Sequence, residues 1–314
     1  MLEPNVQFST PVVDPEGPPA EDYEVALESL NQWQIAWRKF KRHRLALVGA
    51  VIFAVMIFLA IFGPIIWPYD RLDLAPPGTV KAGGNPPSLA NPFGTDNAGR
   101  SVFTLVVNGA RLSMAIGVFT AIIAVTVGVL VGSVAGFFGG KVDGFLMRFV
   151  DLMLCIPFLF VILVAARIFD AGNPTTLILI FGLLFWPGLA RLVRALYLSL
   201  REQDFVFAAK AVGVSDQRIT FRHILPNALG PIIVSATLLV ANAIITEAFV
   251  SFLNFGLKAQ DISWGNALSN AQSVQVLGNW WWAFFPGMAI ALTVIAINFM
   301  GDGLRDALDP RSRE

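Results

Sequence analysis

Residues 45–67 run for 23 positions without a charged side chain. An α-helix needs about 20 apolar residues to cross a hydrocarbon core, so this segment alone limits the chain to a membrane. Residues 112–138 form a second uncharged run. Four more candidates follow. Residues 145–168 carry Arg148 and Asp151 near one end and Arg167 near the other; residues 175–198 leave the apolar phase through Arg191 and Arg194. Residues 228–254 are interrupted by Glu247, and residues 281–300 open on Trp280-Trp281-Trp282, read as an interfacial aromatic anchor. Only 14% of the chain is charged and 55% is hydrophobic, where a soluble domain carries about a quarter charged residues. The expected fold class is all-α integral membrane, with six transmembrane helices.

The distribution of Lys and Arg orients these spans. With the N-terminus in the cytoplasm, 16 of the 22 basic residues fall on inner segments and span ends and six on the outer side, a positive-inside bias that places both termini in the cytoplasm. Residues 1–30 hold seven acidic side chains, no Lys or Arg, and five prolines. Such a segment cannot bury enough apolar area to offset its ordering entropy and reads as a disordered acidic cytoplasmic tail. It lacks the basic start and apolar core of a signal peptide. Over residues 31–44, Trp33, Trp37 and Phe40 recur at helical spacing among Arg38, Lys39, Lys41, Arg42 and Arg44. That pattern predicts an amphipathic helix lying in the headgroup region. Two large outer loops, about 68–111 and 256–280, are rich in Gly, Pro, Asn and Ser.

Chemistry is sparse. A formal net charge of zero gives no electrostatic footprint for nucleic acid. The single cysteine, Cys155, excludes an internal disulfide framework and any multi-cysteine metal site, and His43 and His223 lie far apart. The segment 136–143, GFFGGKVD, lacks the first glycine and the Ser or Thr of a phosphate loop and reads as a tight turn. No nucleotide motif, nucleophile elbow or metal-ligand set appears, so no enzyme activity and no bound cofactor are expected of this chain. Gly128, Gly132, Gly136 and Gly140 repeat every four residues, which brings a second helix backbone close. Asp151 is expected to pair with Arg148 one turn away. Glu247 has no cation within a turn and Asn254 as its polar companion. Two roles are open for it, lining a pathway or making an interhelical polar contact.

The segment 202–227, EQDFVFAAKAVGVSDQRITFRHILPN, is the most informative. Phe205, Ala208 or Ala209, and Val212 recur with helical spacing, and Gly213 supplies the left-handed residue that ends a helix. Ser215 offers an N-cap to a second short helix, which Pro226 limits. Helix, glycine break and helix between spans four and five form either a docking element for a cytoplasmic partner or an amphipathic connector on the membrane.

Ala208-Ala209, Gly213 and Leu225-Pro226 resemble the cytoplasmic loop of ABC importer permeases, in which Glu-Ala-Ala, Gly and Ile-x-Leu-Pro form the coupling region. Phe207 stands at the family's Glu and His223 at its first Ile, the latter as in peptide-type permeases. Residues 93–114, 185–202, 263–268 and 301–311 also look like the dipeptide/oligopeptide/nickel permease group, second subunit type, and the similarity covers about residues 32–311. The resemblance implies a six-span permease domain over 45–314 in a bacterial or archaeal cytoplasmic membrane. It implies a homologous permease partner, two cytoplasmic ATPases carrying ATP and Mg, and an extracytoplasmic solute-binding protein. The coupling surface would comprise Phe205, Phe207, Ala208, Ala209, Val212, Gly213, Leu225 and Pro226. Peptides are the expected cargo, with oligosaccharides or nickel chelates as alternatives. A proton-coupled secondary transporter using Glu247 is a rival that gives no reason for the docking loop.

Overall fold

The computed structural model describes residues 32–68, 84–169, 172–258, 260–272 and 278–308. The acidic tail and the end of the LDPR motif lie outside the described residues, as does much of the first long loop. Helix α1 (Gln32–Arg42) meets α2 (Arg44–Ile66) at His43, whose Nδ1 accepts the Ala46 N–H at 3.1 Å and so caps α2. On α1 the aromatic stripe divides. Trp37 is exposed beneath the Lys41 ammonium, 5.1 Å from its ring, whereas Phe40 is buried with Ala36 against Ala46 and Ala307. The expectation that both rings face headgroups is therefore corrected for Phe40. Gly303 makes room chiefly for Ala46, whose Cβ an added Cβ there would overlap, and also for that ring, 3.3 Å away. The side chain of Trp33 lies outside the described residues.

Helix α3 (Val102–Phe138) is 37 residues, about 55 Å at the ordinary rise per residue, longer than a bilayer core. It starts ten positions before the expected span, because residues 102–110 continue the helical pattern past the exposed Arg111. Gly139 and Gly140, at φ +66° and +54°, then turn the chain into α4 (Gly140–Cys155). The third candidate span, residues 145–168, is broken within its length: α4 and α5 (Phe158–Ile168) meet at 84°. Pro157 removes an N–H and drives Ile156 out of the helical region, to φ −80° and ψ 133°.

Helix α6 (Pro174–Leu200) lies along α3. Here the glycine repeat acts as expected at three of its four positions. A Cβ on Gly132 would stand 2.5 Å from the Ala190 carbonyl oxygen, and one on Gly136 2.5 Å from Tyr197 Cβ; Gly128 similarly meets Leu189. Gly140 has nothing within 4 Å and belongs to the turn. Then come α7 (Asp204–Ala211), α8 (Asp216–Arg218), a π-helical stretch (Ile219–Ile224) and α9 (Leu225–Phe252). The last three form one continuous helix, Asp216–Phe252. Pro226 thus does not end the second short helix. The wide turn shifts the Leu225 N–H to the Thr220 carbonyl and places the proline in the first turn of α9. Helices α10 (Trp264–Ser269) and α11 (Trp281–Leu308) are the last of the described helices. Among the described residues five helices are long and apolar enough to cross a membrane, or six if the bent α4–α5 pair counts as one span. The architecture is all-α and multi-pass.

Candidate functional site

The α6–α9 connection stands on a dry base at one end of the bundle. Val206, fully buried, enters a cluster with Phe137, Val193, Tyr197, Ile219 and Ile224. The Tyr197 hydroxyl donates to the Thr220 carbonyl at 3.0 Å inside the π-helical stretch, adding a second donor to an oxygen that already serves Leu225. Arg194 grips Asp143 through two bonds of 2.5 Å, and Arg201 Nη1 donates to the Gly136 carbonyl at 3.1 Å. The end of α3, the start of α4 and the end of α6 are thereby held together, with Asp143 in the first turn of α4, where the helix dipole favours it. Asp151 pairs with Arg191 of α6 rather than with Arg148. An Arg placed before the acid on a helix is the poorer orientation, and α6 presents a better partner across the groove.

On that base α7 turns a small apolar face outward. Phe205 and Ala208 are exposed, Phe207 is 52% exposed and Val212 85%. Ala209 instead packs half-buried on the cluster below, as does Leu225, while Pro226 is exposed. Gly213 sits at φ +82°. Its N–H donates to the Lys210 carbonyl at 2.9 Å and Val214 N–H to the Ala209 carbonyl at 3.1 Å, the paired bonds of a Schellman end. Ser215 occupies the N-cap position of α8 without a side-chain capping bond. The anchoring residue that sequence reasoning missed is Val206; its signal was its place off the face shared by Phe205, Ala208 and Val212 on the helical wheel.

The opposite end of the bundle holds Glu247. Its carboxylate is fully buried and accepts three hydroxyl protons: Ser113 of α3 at 3.2 Å, Ser251 of its own helix at 2.9 Å and Ser263, the N-cap of α10, at 2.8 Å. Asn254, the expected companion, is exposed in the turn after α9 at φ +62° and does not reach it. Ser251, one turn on from Glu247, was legible in the spacing; Ser113 and Ser263 are brought in by the fold. Nearby, Asp96 is buried and bound by Arg100 and by two loop amides, and the indoles of Trp281 and Trp282 both donate to the Thr95 carbonyl. The tryptophan triplet is therefore corrected as an interfacial anchor: Trp281 and Trp282 clamp the 84–101 loop, and only Trp280 is exposed. Among the described residues no three His, Cys, Asp or Glu gather as a metal site.

Residues 128–314 match the family described as the binding-protein-dependent transport system inner membrane component. Residues 31–77 match the N-terminal TM domain of oligopeptide transport permease C. The chain is 38% identical over 285 residues to the dipeptide transport system permease protein of Bacillus subtilis, covering 91% of this chain and 88% of that one. It is 38% identical over 291 residues to the oligopeptide transport system permease protein of the same organism, 93% of each chain. The corresponding oligopeptide permease of Haemophilus influenzae is 36% identical over 290 residues, 92% of each chain.

Proposed function

The chain belongs to the family of binding-protein-dependent transport system inner membrane components, and from that premise we propose how it works. It is the permease subunit of an ATP-driven peptide importer and carries no catalysis of its own. Paired with a homologous permease, it encloses the path along which peptides pass from an extracytoplasmic solute-binding protein into the cell. Two cytoplasmic ATPases bind and hydrolyse ATP with Mg, so their closure supplies the free-energy difference between inward- and outward-open conformers. Both termini lie in the cytoplasm of a bacterial or archaeal cell, with α1 resting on the inner leaflet through its basic face.

The observation that carries this reading is the exposed apolar face of α7 on its rigid base. A small helix whose Phe205, Phe207, Ala208 and Val212 lie open, backed by a packed cluster, is suited to seat in a cleft of a partner. Leu225 and Pro226 belong to the lever behind it: one continuous helix runs from Asp216 to Phe252, so displacement of the loop tilts the whole length of α9. Gly213 sets the angle between α7 and that lever.

Ala208→Arg tests the docking face, because residue 208 is exposed and Arg would alter the contact without entering the cluster beneath. The variant complex is purified from membranes, the bound ATPase is quantified, and hydrolysis stimulated by the loaded binding protein is measured. Normal insertion with lost ATPase association, or with stimulation lowered on the order of tenfold, is the expected result for removal of a contact centre. Wild-type association, stimulation and uptake would show that α7 is not the coupling surface.

A further inference from the structure

Glu247 is buried among three serine hydroxyls drawn from three elements. Two of those hydroxyls are relays. Ser113 Oγ accepts the Trp264 N–H at 3.1 Å while donating to Oε2, and Ser263 Oγ accepts the Asn266 N–H at 3.0 Å while donating to Oε1. One carboxylate therefore ties α3, α9 and α10 together. A carboxylate suits this position because it accepts on both oxygens and donates nothing. An amide turned toward Ser113 would leave that hydroxyl proton without its acceptor.

The packing around the hub has no slack. A Cβ on Gly265 would stand 2.7 Å from Ala248 Cα and 3.0 Å from Glu247 Oε1, and one on Gly109 3.1 Å from the Trp264 ring. The Trp264 indole donates to the Val106 carbonyl at 2.8 Å, a second fastening of α10 to α3. One turn further along both long helices, Gly117 faces Ile244, where a Cβ would lie 2.7 Å from Cγ1. Such a site holds helices at a fixed separation and leaves no room for a passing solute.

We propose that Glu247 is a positioning residue whose serine-clasped carboxylate bolts α3, α9 and α10 into one body that moves as a unit through the transport cycle. The proposal rests on the permease reading above and assigns the carboxylate a static role away from the peptide. It requires that α3 and α9 never part at this end of the bundle while access alternates.

A disulfide can replace the bolt. With 2.7 Å from the Gly117 Cβ position to Ile244 Cγ1 and a C–C bond of about 1.5 Å, the two Cβ atoms lie within about 4.2 Å, inside the range a disulfide spans. Gly117→Cys with Ile244→Cys is made in a Cys155→Ala background, and the whole complex is reconstituted in liposomes with its loaded binding protein. Closure is verified by loss of titratable thiols, with a short thiol cross-linker completing any unclosed fraction. Three results are expected. The oxidised pair imports peptide at the parental rate. Glu247→Gln lowers the maximal rate on the order of tenfold, the scale of one unmet buried hydrogen bond, without changing the apparent affinity for the loaded binding protein. Oxidising the pair in the Glu247→Gln background restores import, and reduction removes it again.

Arrest of import by oxidation with Glu247 intact would mean that α3 and α9 separate in the cycle, which overturns the bolt. So would unchanged import by Glu247→Gln, or a Gln variant that stays slow after oxidation; the latter result would assign the charge itself to the pathway. Hydrogen exchange at the Trp264 and Asn266 amides reads the same hub without transport: faster in Glu247→Gln and in a Ser113→Ala/Ser263→Ala variant, slowed again by the disulfide in the Gln variant. Unchanged exchange in both would also overturn the proposal. Lack of ATP-dependent import by the parental complex would count against the permease reading alone, since the exchange measurement still judges the bolt.

Discussion

Two glycines of α3 and α6 show how far a single side chain matters in this protein. Gly132 lies where α3 and α6 touch backbone to backbone, and an added Cβ would stand 2.5 Å from the Ala190 carbonyl oxygen and 2.7 Å from Val193 Cβ. Gly188, on α6, is exposed with nothing within 4 Å. Gly132→Val should therefore force the helices apart and cost about 1–3 kcal/mol, read as a lowered Tm of the purified protein in detergent. Gly188→Ala should be neutral or stabilising by about 0.5–1 kcal/mol, since it adds helix propensity without a clash. Equal Tm shifts for the two would show that the close α3–α6 approach is not what the glycines serve. The repeat at 128, 132 and 136 was legible as a packing signal, and the tight turn read over 136–143 already conflicted with keeping Gly140 in the stripe; the structure resolves the conflict in favour of the turn at Gly139 and Gly140.

At the scale of elements, breaks carry more information than spans. Gly213 at φ +82° ends α7 and lets the chain re-enter a helix three residues later. Gly213→Ala should strain this turn by about 1–2 kcal/mol. The expected outcome is faster hydrogen exchange at Val212 and Val214 with the long helices unaffected; unchanged exchange there would place no demand on positive φ. The proline at 157 was equally visible in the sequence, yet the uncharged apolar run from 152 to 166 concealed it. Hydropathy measures transfer free energy, which is indifferent to a bend, whereas a proline acts through the backbone hydrogen bond it cannot make. Pro226 shows the converse. The chain absorbs it in a π-helical stretch stapled by Tyr197, and the Asp216–Phe252 helix continues.

For the whole molecule the asymmetry lies between two ends. One carries α7, the Arg194–Asp143 grip and the basic α1; the other carries the Glu247 hub, α10 and the tryptophan-clamped 84–101 loop. Cysteines at Ser9 and Asn270 should label from opposite faces of the membrane in a Cys155→Ala background, Cys155 being an exposed free thiol. Asn270 is exposed at the end of α10. Labelling of both positions by an impermeant reagent from outside would overturn the assignment of the termini to the cytoplasm.

The sequence by itself determined that this chain lives in a bilayer and roughly where its long helices run. Burial of apolar length is a sum over consecutive residues and needs no partner to be counted. It also determined the turn at Gly213 and the family, since both depend on residues close together along the chain. Only the tertiary structure decided which polar groups meet. Asp151 finds Arg191 instead of Arg148, and Glu247 finds Ser113 and Ser263 instead of Asn254. Around the fully buried Glu247 an unmet carboxylate or hydroxyl costs more than the choice of partner, while the exposed Asp151 takes the cation that α6 brings beside it. The pairing is thus set by which elements the packing of glycine faces and apolar clusters has already brought within reach. Trp281 and Trp282 follow the same logic: their composition suggests a membrane interface, but a loop carbonyl within 3.1 Å satisfies both indoles, and the fold buries them.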